Sequence, residues 1–296
     1  MISIFIAFLP ALFMWEYAAV KVNFRLPKDA RKRLFKLGGR FALLALVIEF
    51  AEGLVPLSQF SPLMHAFIEA LFIAAIPEEL VKFAAVNKFG RKELDEIGPG
   101  IAVLVAVGAS LGFAVLENKL YVLTGGLFVW FLRAVTAVPM HAIFGFTMGS
   151  FMVLAWRDPL RFDRRMIALA LVVPMGMHFL YDFLLLAQKY DPTAFWAEKL
   201  VPPTMLVEGL FALILTNHAM NGDTAIYGVR VPADPSGHRA LGLAVFTLCL
   251  GVLILALNME VVHDAAHTAM LAVVPLVLTL DLGLLAFARS QMGYGR

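Results

Sequence analysis

Apolar stretches of about 20 residues recur along the whole chain and leave little choice of fold. They run over about 2–20, 41–59, 63–86, 100–123, 130–156, 166–188, 202–220, 241–258 and 268–288. A helix of about 20 apolar residues spans the hydrocarbon of a bilayer. Composition agrees: 61% of residues are hydrophobic and 16% charged, against about 45–50% and 25% in a soluble globule, and the mean hydropathy is +0.83. The expected fold is all-α, a polytopic transmembrane helical bundle of about nine spans (eight to nine). Such a chain has no room for a sizeable soluble domain, and its net charge of +2 does not point to nucleic acid.

The basic residues set the expected orientation. Lys21, Arg25, Lys28, Arg31, Lys32, Arg33, Lys36 and Arg40 follow the first apolar run, and alternate loops carry Lys88, Arg91 and Lys92, then Arg157, Arg161, Arg164 and Arg165, then Arg230 and Arg239. The opposite loops carry only Lys189 and Lys199. Positive residues are retained in the cytoplasm, so the amino terminus is expected outside and the carboxyl terminus inside. No basic residue precedes the first run, which argues against a cleaved signal peptide. The polar connection from Asn221 to Arg239 is a soft boundary before the last spans. The expected organisation is a core of about six spans in residues 1–190 and an additional three-span bundle in 191–296. The single cysteine, Cys249, excludes an intrachain disulfide and gives no thiolate metal site.

One segment is improbable in such a setting: Ile76-Pro77-Glu78-Glu79-Leu80-Val81-Lys82, inside the third apolar run. A charge at the centre of a membrane helix costs on the order of 3 kcal/mol, while each large apolar residue returns about 0.5. Lys82 is four residues after Glu78 and three after Glu79, so on a helix it reaches either carboxylate. Pro77 weakens the backbone ladder just before the pair. Phe60 to Glu69 are expected along the interface, with the span proper starting near Ala70.

Three more stretches place reactive groups inside spans: Phe113-Ala-Val-Leu-Glu117-Asn118, His141-Ala-Ile-Phe-Gly145 and His178-Phe-Leu-Tyr181-Asp182. His178 and Asp182 share a helix face, so the carboxylate can orient the imidazole. Gly145, one turn from His141, leaves room for a substrate backbone or another helix. Burying all these groups without return would cost on the order of 10 kcal/mol. Carboxylates and imidazoles together activate water, protonate a leaving amine and stabilise an oxyanion, which are the needs of peptide hydrolysis. The same donors suit zinc with one position left for water. Glu49 and Glu52 either line a water path or bond Arg133 or Lys119. Glu208, His218 and Asp281 read as hydrogen-bonding pegs between helices.

Glu78-Glu79-x-x-Lys82, Phe113-x-x-x-Glu117-Asn118, His141-x-x-x-Gly145 and His178-x-x-x-Asp182, in that order on successive spans, resemble the PrsW-type intramembrane proteases, distant relatives of the CAAX prenyl proteases. The resemblance covers about residues 1–190. It implies a multi-pass protein of a prokaryotic inner or plasma membrane, glutamate-dependent or metal-dependent, making the first cut in a single-pass protein such as an anti-sigma factor. The resemblance makes Glu78, Glu79 and His178 the expected essential residues. His141 and Glu117 join them as catalytic candidates, Lys82, Asn118 and Asp182 support them, and zinc, if used, is expected at His141, His178, Glu117 and Glu78. The chain departs from the wider CAAX pattern at Lys82, one residue before the usual arginine, and at Glu117, where a histidine is usual, which counts against prenylated substrates.

Other classes compete. Gly108-Ala-Ser110-Leu-Gly112 reads as a serine nucleophile string, but with no preceding strand it reads better as a small-residue packing face. A proton- or ion-coupled carrier would use the same groups as a relay, and a noncatalytic scaffold would retain the helices alone.

Overall fold

A computed structural model of the chain describes residues 11–19, 28–52, 56–97, 100–156 and 163–221. No strand occurs among them. In chain order they form α1 (residues 11–19), α2 (Lys28–Glu52), a 3₁₀ turn (Leu57–Gln59), α3 (Pro62–Ile68), a π-helical segment (Glu69–Ala75), α4 (Ile76–Ile97), α5 (Ile101–Val135), α6 (Ala137–Trp156), α7 (Arg164–Tyr190) and α8 (Phe195–Asn221). The chain divides into two compact units, Met1–Val229 and Arg230–Arg296. The expected spans at 241–258 and 268–288, and Asp281, lie outside the described residues.

Among the described residues, four stretches are long and apolar enough to cross a membrane: Ile101–Asn118, Leu132–Trp156, Arg164–Tyr190 and Phe195–Met220. They match four of the expected runs. The first two are the centre of the bundle, 89% and 83% buried, whereas the last two are 33% and 22% buried and turn most of their apolar surface outward. Val172, Val207 and Ile214 are each more than 60% exposed. In a lipid solvent such exposure carries no hydrophobic cost, so it fits a peripheral membrane helix.

Glycines set how close the central helices come. A Cβ at Gly145 would lie 2.9 Å from Val107 Cα, and one at Gly149 would lie 2.5 Å from Val103 Cα. The gap beside His141 is therefore filled by α5, and α5 and α6 run antiparallel. On the other side of α5, Gly38 of α2 lies against the Ala109 backbone, and Gly108 makes room for Leu34 and Trp15. This is the packing face expected from Gly108 and Gly112. Ser110 is fully buried on the α6 side, its Oγ beside Gly145 and without a hydrogen-bond partner, so the serine nucleophile reading has no base to support it.

Two departures from regular helix shape the site. The third run is helical from Pro62 through Ile97, with no break between an interfacial piece and a span at Ala70. Instead it widens to a π-helix over Glu69–Ala75, where the Ile76 N–H bonds Leu71 O, five residues back. Pro77 offers no N–H and its ring crowds the carbonyl four residues earlier, and the wider turn accommodates both. The second departure is in α5, which is helical through the expected break at 124–129. Arg133 nonetheless bonds Asn118, 15 residues earlier. A straight helix would separate them by about 22 Å, beyond side-chain reach. α5 therefore bends sharply between them, in a stretch that holds Gly125 and Gly126, residues that commonly permit a kink. Thr136 then ends the element, with its Oγ1 donating to Leu132 O at 2.7 Å, and α6 follows with Pro139 in its first turn, where a proline is tolerated.

The α3–α4 run packs antiparallel to α7. At one end His65 stacks on Tyr190, with ring centroids 4.0 Å apart, and the Tyr190 hydroxyl donates to Glu69. Further along the same pair of helices, Glu79 meets His178. Asp163 caps α7, accepting from Arg165 N at 2.8 Å and Met166 N at 3.4 Å.

Candidate active site

The four motifs meet. α4 carries Glu78, Glu79 and Lys82, α5 carries Phe113, Glu117 and Asn118, α6 carries His141, and α7 carries His178 and Asp182. Residues up to 104 positions apart in sequence form one connected set of polar contacts.

Lys82 is at its centre and only 1% exposed. Its ammonium donates to Glu79 Oε1 at 2.7 Å and to Glu78 Oε2 at 3.0 Å, and its third N–H meets His141 Nδ1 at 3.0 Å. Its charge also lies 4.4 Å from the centre of the Phe113 ring. The lysine thus reaches both carboxylates at once, and a histidine on another helix. Sequence spacing alone suggested either carboxylate.

These contacts fix the histidine tautomers. An ammonium only donates, so His141 Nδ1 accepts from Lys82; Nε2 then carries the proton and donates to Glu117 Oε2 at 2.8 Å. His178 is different. Its Nδ1 lies 3.0 Å from Glu79 Oε1 and its Nε2 lies 3.1 Å from Asp182 Oδ2. Two carboxylate acceptors are satisfied together only by a ring with both nitrogens protonated. His178 Nε2 also lies 3.9 Å from Glu78 Oε2, and the Phe144 ring stacks on the imidazole at 4.9 Å.

Arg133, outside the expected site set, completes it. Its Nη2 lies 2.6 Å from Glu117 Oε1, its Nε donates to Asn118 Oδ1 at 2.8 Å, and its guanidinium covers the Tyr121 ring at 3.9 Å. An arginine inside an apolar run signals in sequence that it needs a partner. That the partner was Glu117 depended on the bend in α5. The alternatives named from sequence, the side chains of Glu49 and Glu52, lie outside what the structure describes.

The site opens at one edge. The side chains of Glu79, Lys82 and His178 are 0%, 1% and 4% exposed, whereas Glu117, Arg133 and Asp182 are 15%, 18% and 23% exposed. Two buried atoms lack protein partners: Glu79 Oε2, deep in the site, and Asn118 Nδ2, whose amide is held through its oxygen by Arg133. A buried polar atom without a partner marks a place for water, an ion or substrate.

Two sets of donor atoms converge within 4.8 Å: Glu78, Glu79 and His178, and Glu78, Glu117 and His141. In the second set His141 and Glu117 are already committed to Lys82 and Arg133. The first set retains the unpartnered Glu79 oxygen, and Asp182 stands behind His178 as the carboxylate that commonly backs a metal-binding histidine. Its residue types therefore fit a divalent metal. Glu208 is 6% exposed on α8, and its Oε2 bonds no protein group, so no hydrogen bond from that oxygen supports the interhelical role expected of it. On the same helix Thr216 lies in hydrogen-bond distance of Ser150 on α6, at 2.9 Å.

Comparison with known proteins agrees with this geometry. The sequence profile of the PrsW family intramembrane metalloproteases matches residues 27–216. Protease PrsW of Oceanobacillus iheyensis is 36% identical over 178 residues, covering 60% of this chain and 79% of that protein. Protease PrsW of Geobacillus kaustophilus is 34% identical over 179 residues, 59% and 72% of the two chains, and that of Shouchella clausii 28% over 191, 62% and 84%. No solved structure matches. With its four motifs gathered at one buried centre and its profile match running from α2 to α8, this chain belongs to the PrsW family of intramembrane proteases and is a membrane-embedded peptide hydrolase.

Proposed function

We propose that the enzyme cuts a single-pass membrane protein, an anti-sigma factor being the substrate the family resemblance suggests, with Glu79 as the base that takes a proton from the attacking water. The observation that carries this is the buried, unpartnered Oε2 of Glu79 beside its other oxygen, which Lys82 and His178 hold. One oxygen is anchored and the other is available to a water, as a general base requires. Lys82 and doubly protonated His178 together balance the charge of the Glu78–Glu79 pair and so keep two carboxylates in one buried site. His178, protonated on both nitrogens between Glu79 and Asp182, places a positive charge that stabilises the oxyanion as the carbonyl is attacked. His141, with its proton on Nε2 toward Glu117, holds Lys82 from the far side. Asp182 orients His178.

Glu78, Glu79 and His178 would hold zinc, the metal that carboxylate and imidazole donors suit. A bound zinc supplies Lewis-acid activation of water. To serve there His178 would give up one of its two ring protons. Zinc content of the purified protein, measured with and without His178→Ala, tests this: about one zinc per chain in the wild type and none in the variant supports the site. Equal content in both contradicts it.

The bundle is proposed to cross the cell membrane nine times with its amino terminus outside. The packing supports the relative directions: α3–α4 against α7 and α5 against α6 are antiparallel. Residues 1–190 are proposed as the catalytic core and the spans after 190 as an addition whose role the site does not define. The experiment for the reaction is cleavage of a reconstituted single-pass substrate by wild type and by Glu79→Gln. Loss of at least ~100-fold supports the base; retained cleavage removes it.

A further inference from the structure

We infer that Arg133 is a positioning residue of the active site, acting through Glu117 to hold the His141 ring against Lys82; this rests on the proteolytic reading of the same centre. Glu117 is held through both of its carboxylate oxygens. Its Oε2 takes the proton side of His141 Nε2 at 2.8 Å, and its Oε1 is held by Arg133 Nη2 at 2.6 Å. Each oxygen therefore has an assigned partner, and the carboxylate plane is fixed.

Arg133 is itself fixed from two further directions. Asn118 Oδ1 accepts from its Nε at 2.8 Å, and Tyr121 lies against the guanidinium face at 3.9 Å. Asn118, Tyr121, Glu117 and Arg133 all belong to α5, on either side of its bend. The bend thus folds the end of α5 back onto its own middle, and the arginine fork joins the two. An arginine presents a planar fork to two acceptors, which a lysine does not reproduce.

The consequence reaches the reacting groups through one line of contacts. Arg133 holds Glu117, Glu117 takes the Nε2 proton of His141, and the bare Nδ1 of His141 accepts from Lys82, which binds Glu78 and Glu79. Without Arg133, Glu117 turns toward the open edge, the His141 Nε2–H loses its acceptor, and the ring is no longer held against Lys82. Charge points the same way. Glu78, Glu79, Glu117 and Asp182 stand against Lys82, Arg133 and doubly protonated His178, so removing Arg133 enlarges an existing negative excess at the centre.

Two arms test the inference. Reconstituted Arg133→Ala is expected to lower kcat by about 10- to 100-fold, the range usual for losing a residue that orients an active-site ligand, with KM little changed. Arg133→Lys is expected to fall between it and wild type. In a Glu117→Gln background, where the acceptor charge is already gone, Arg133→Ala is expected to change the residual kcat by less than ~2-fold. The second arm needs no substrate: nitrogen NMR of histidine-labelled protein in bilayers is expected to show the His141 Nε2–H in one strong hydrogen bond in the wild type, and its resonance shifted and broadened in Arg133→Ala. An unchanged His141 signal, or an equal loss from Arg133→Ala with and without the Glu117→Gln substitution, overturns the role. Failure of the wild type to cut any substrate would overturn the proteolytic mechanism instead, and the NMR arm would still decide what Arg133 does.

Discussion

At the residue scale, the site is a set of charges that each need the others. Lys82 is the clearest case, because it has three partners on two helices and almost no exposure. Lys82→Met should destabilise the protein by about 3–5 kcal/mol, the usual cost of stranding a buried charge, and thermal melts in detergent would show it. An unchanged melting point would mean the two glutamates do not depend on the lysine. His178→Ala should impair cleavage more than Asp182→Ala, which only orients the ring and should retain activity within about 10- to 100-fold of wild type. The reverse order in a cleavage assay would remove Asp182 from its supporting role. Most of these residues were legible in the sequence, since Glu78, Glu79, Lys82, Glu117, His141 and His178 are each anomalous in an apolar run. Their pairing was less so. Local spacing identified Lys82 with its glutamates and His178 with Asp182, whereas Lys82 with His141 and Arg133 with Glu117 depend on how helices pack and bend.

At the scale of elements, the length and hydropathy of the apolar runs found the central helices, and backbone chemistry decided where they deviate. The four membrane-length stretches coincide with four apolar runs, because length and hydropathy alone specify a span. The π-helical segment before Pro77 was only hinted at by the proline, and the bend in α5 only by Gly125 and Gly126. Close packing at glycines gives a sharp contrast. Gly149→Leu should lower stability by about 1–3 kcal/mol or more, because even its Cβ meets α5 backbone. Gly176→Ala, with nothing within 4 Å of the new carbon, should be neutral or stabilising by up to about 1 kcal/mol. Melting curves of the two variants would check this, and equal effects would contradict the assigned α5–α6 contact.

At the scale of the whole molecule, the central claim is that a bundle with buried central helices and lipid-facing outer ones encloses a hydrolytic centre. The proposed orientation has a direct consequence: in a Cys249→Ser background, a cysteine introduced at Thr193 should react with a membrane-impermeant thiol reagent in intact cells. One introduced at Lys88 should react only after permeabilisation, and the opposite pattern would invert the topology. The most direct test of the central claim is to compare the amino termini of membrane proteins, by mass spectrometry, between cells making the wild type and cells making a folded Glu78→Gln, Glu79→Gln variant, with the candidate substrates present in both. New termini seen only with the wild type are the predicted result and would name the substrate. Identical termini in the two cell populations would contradict a hydrolytic centre at Glu78 and Glu79.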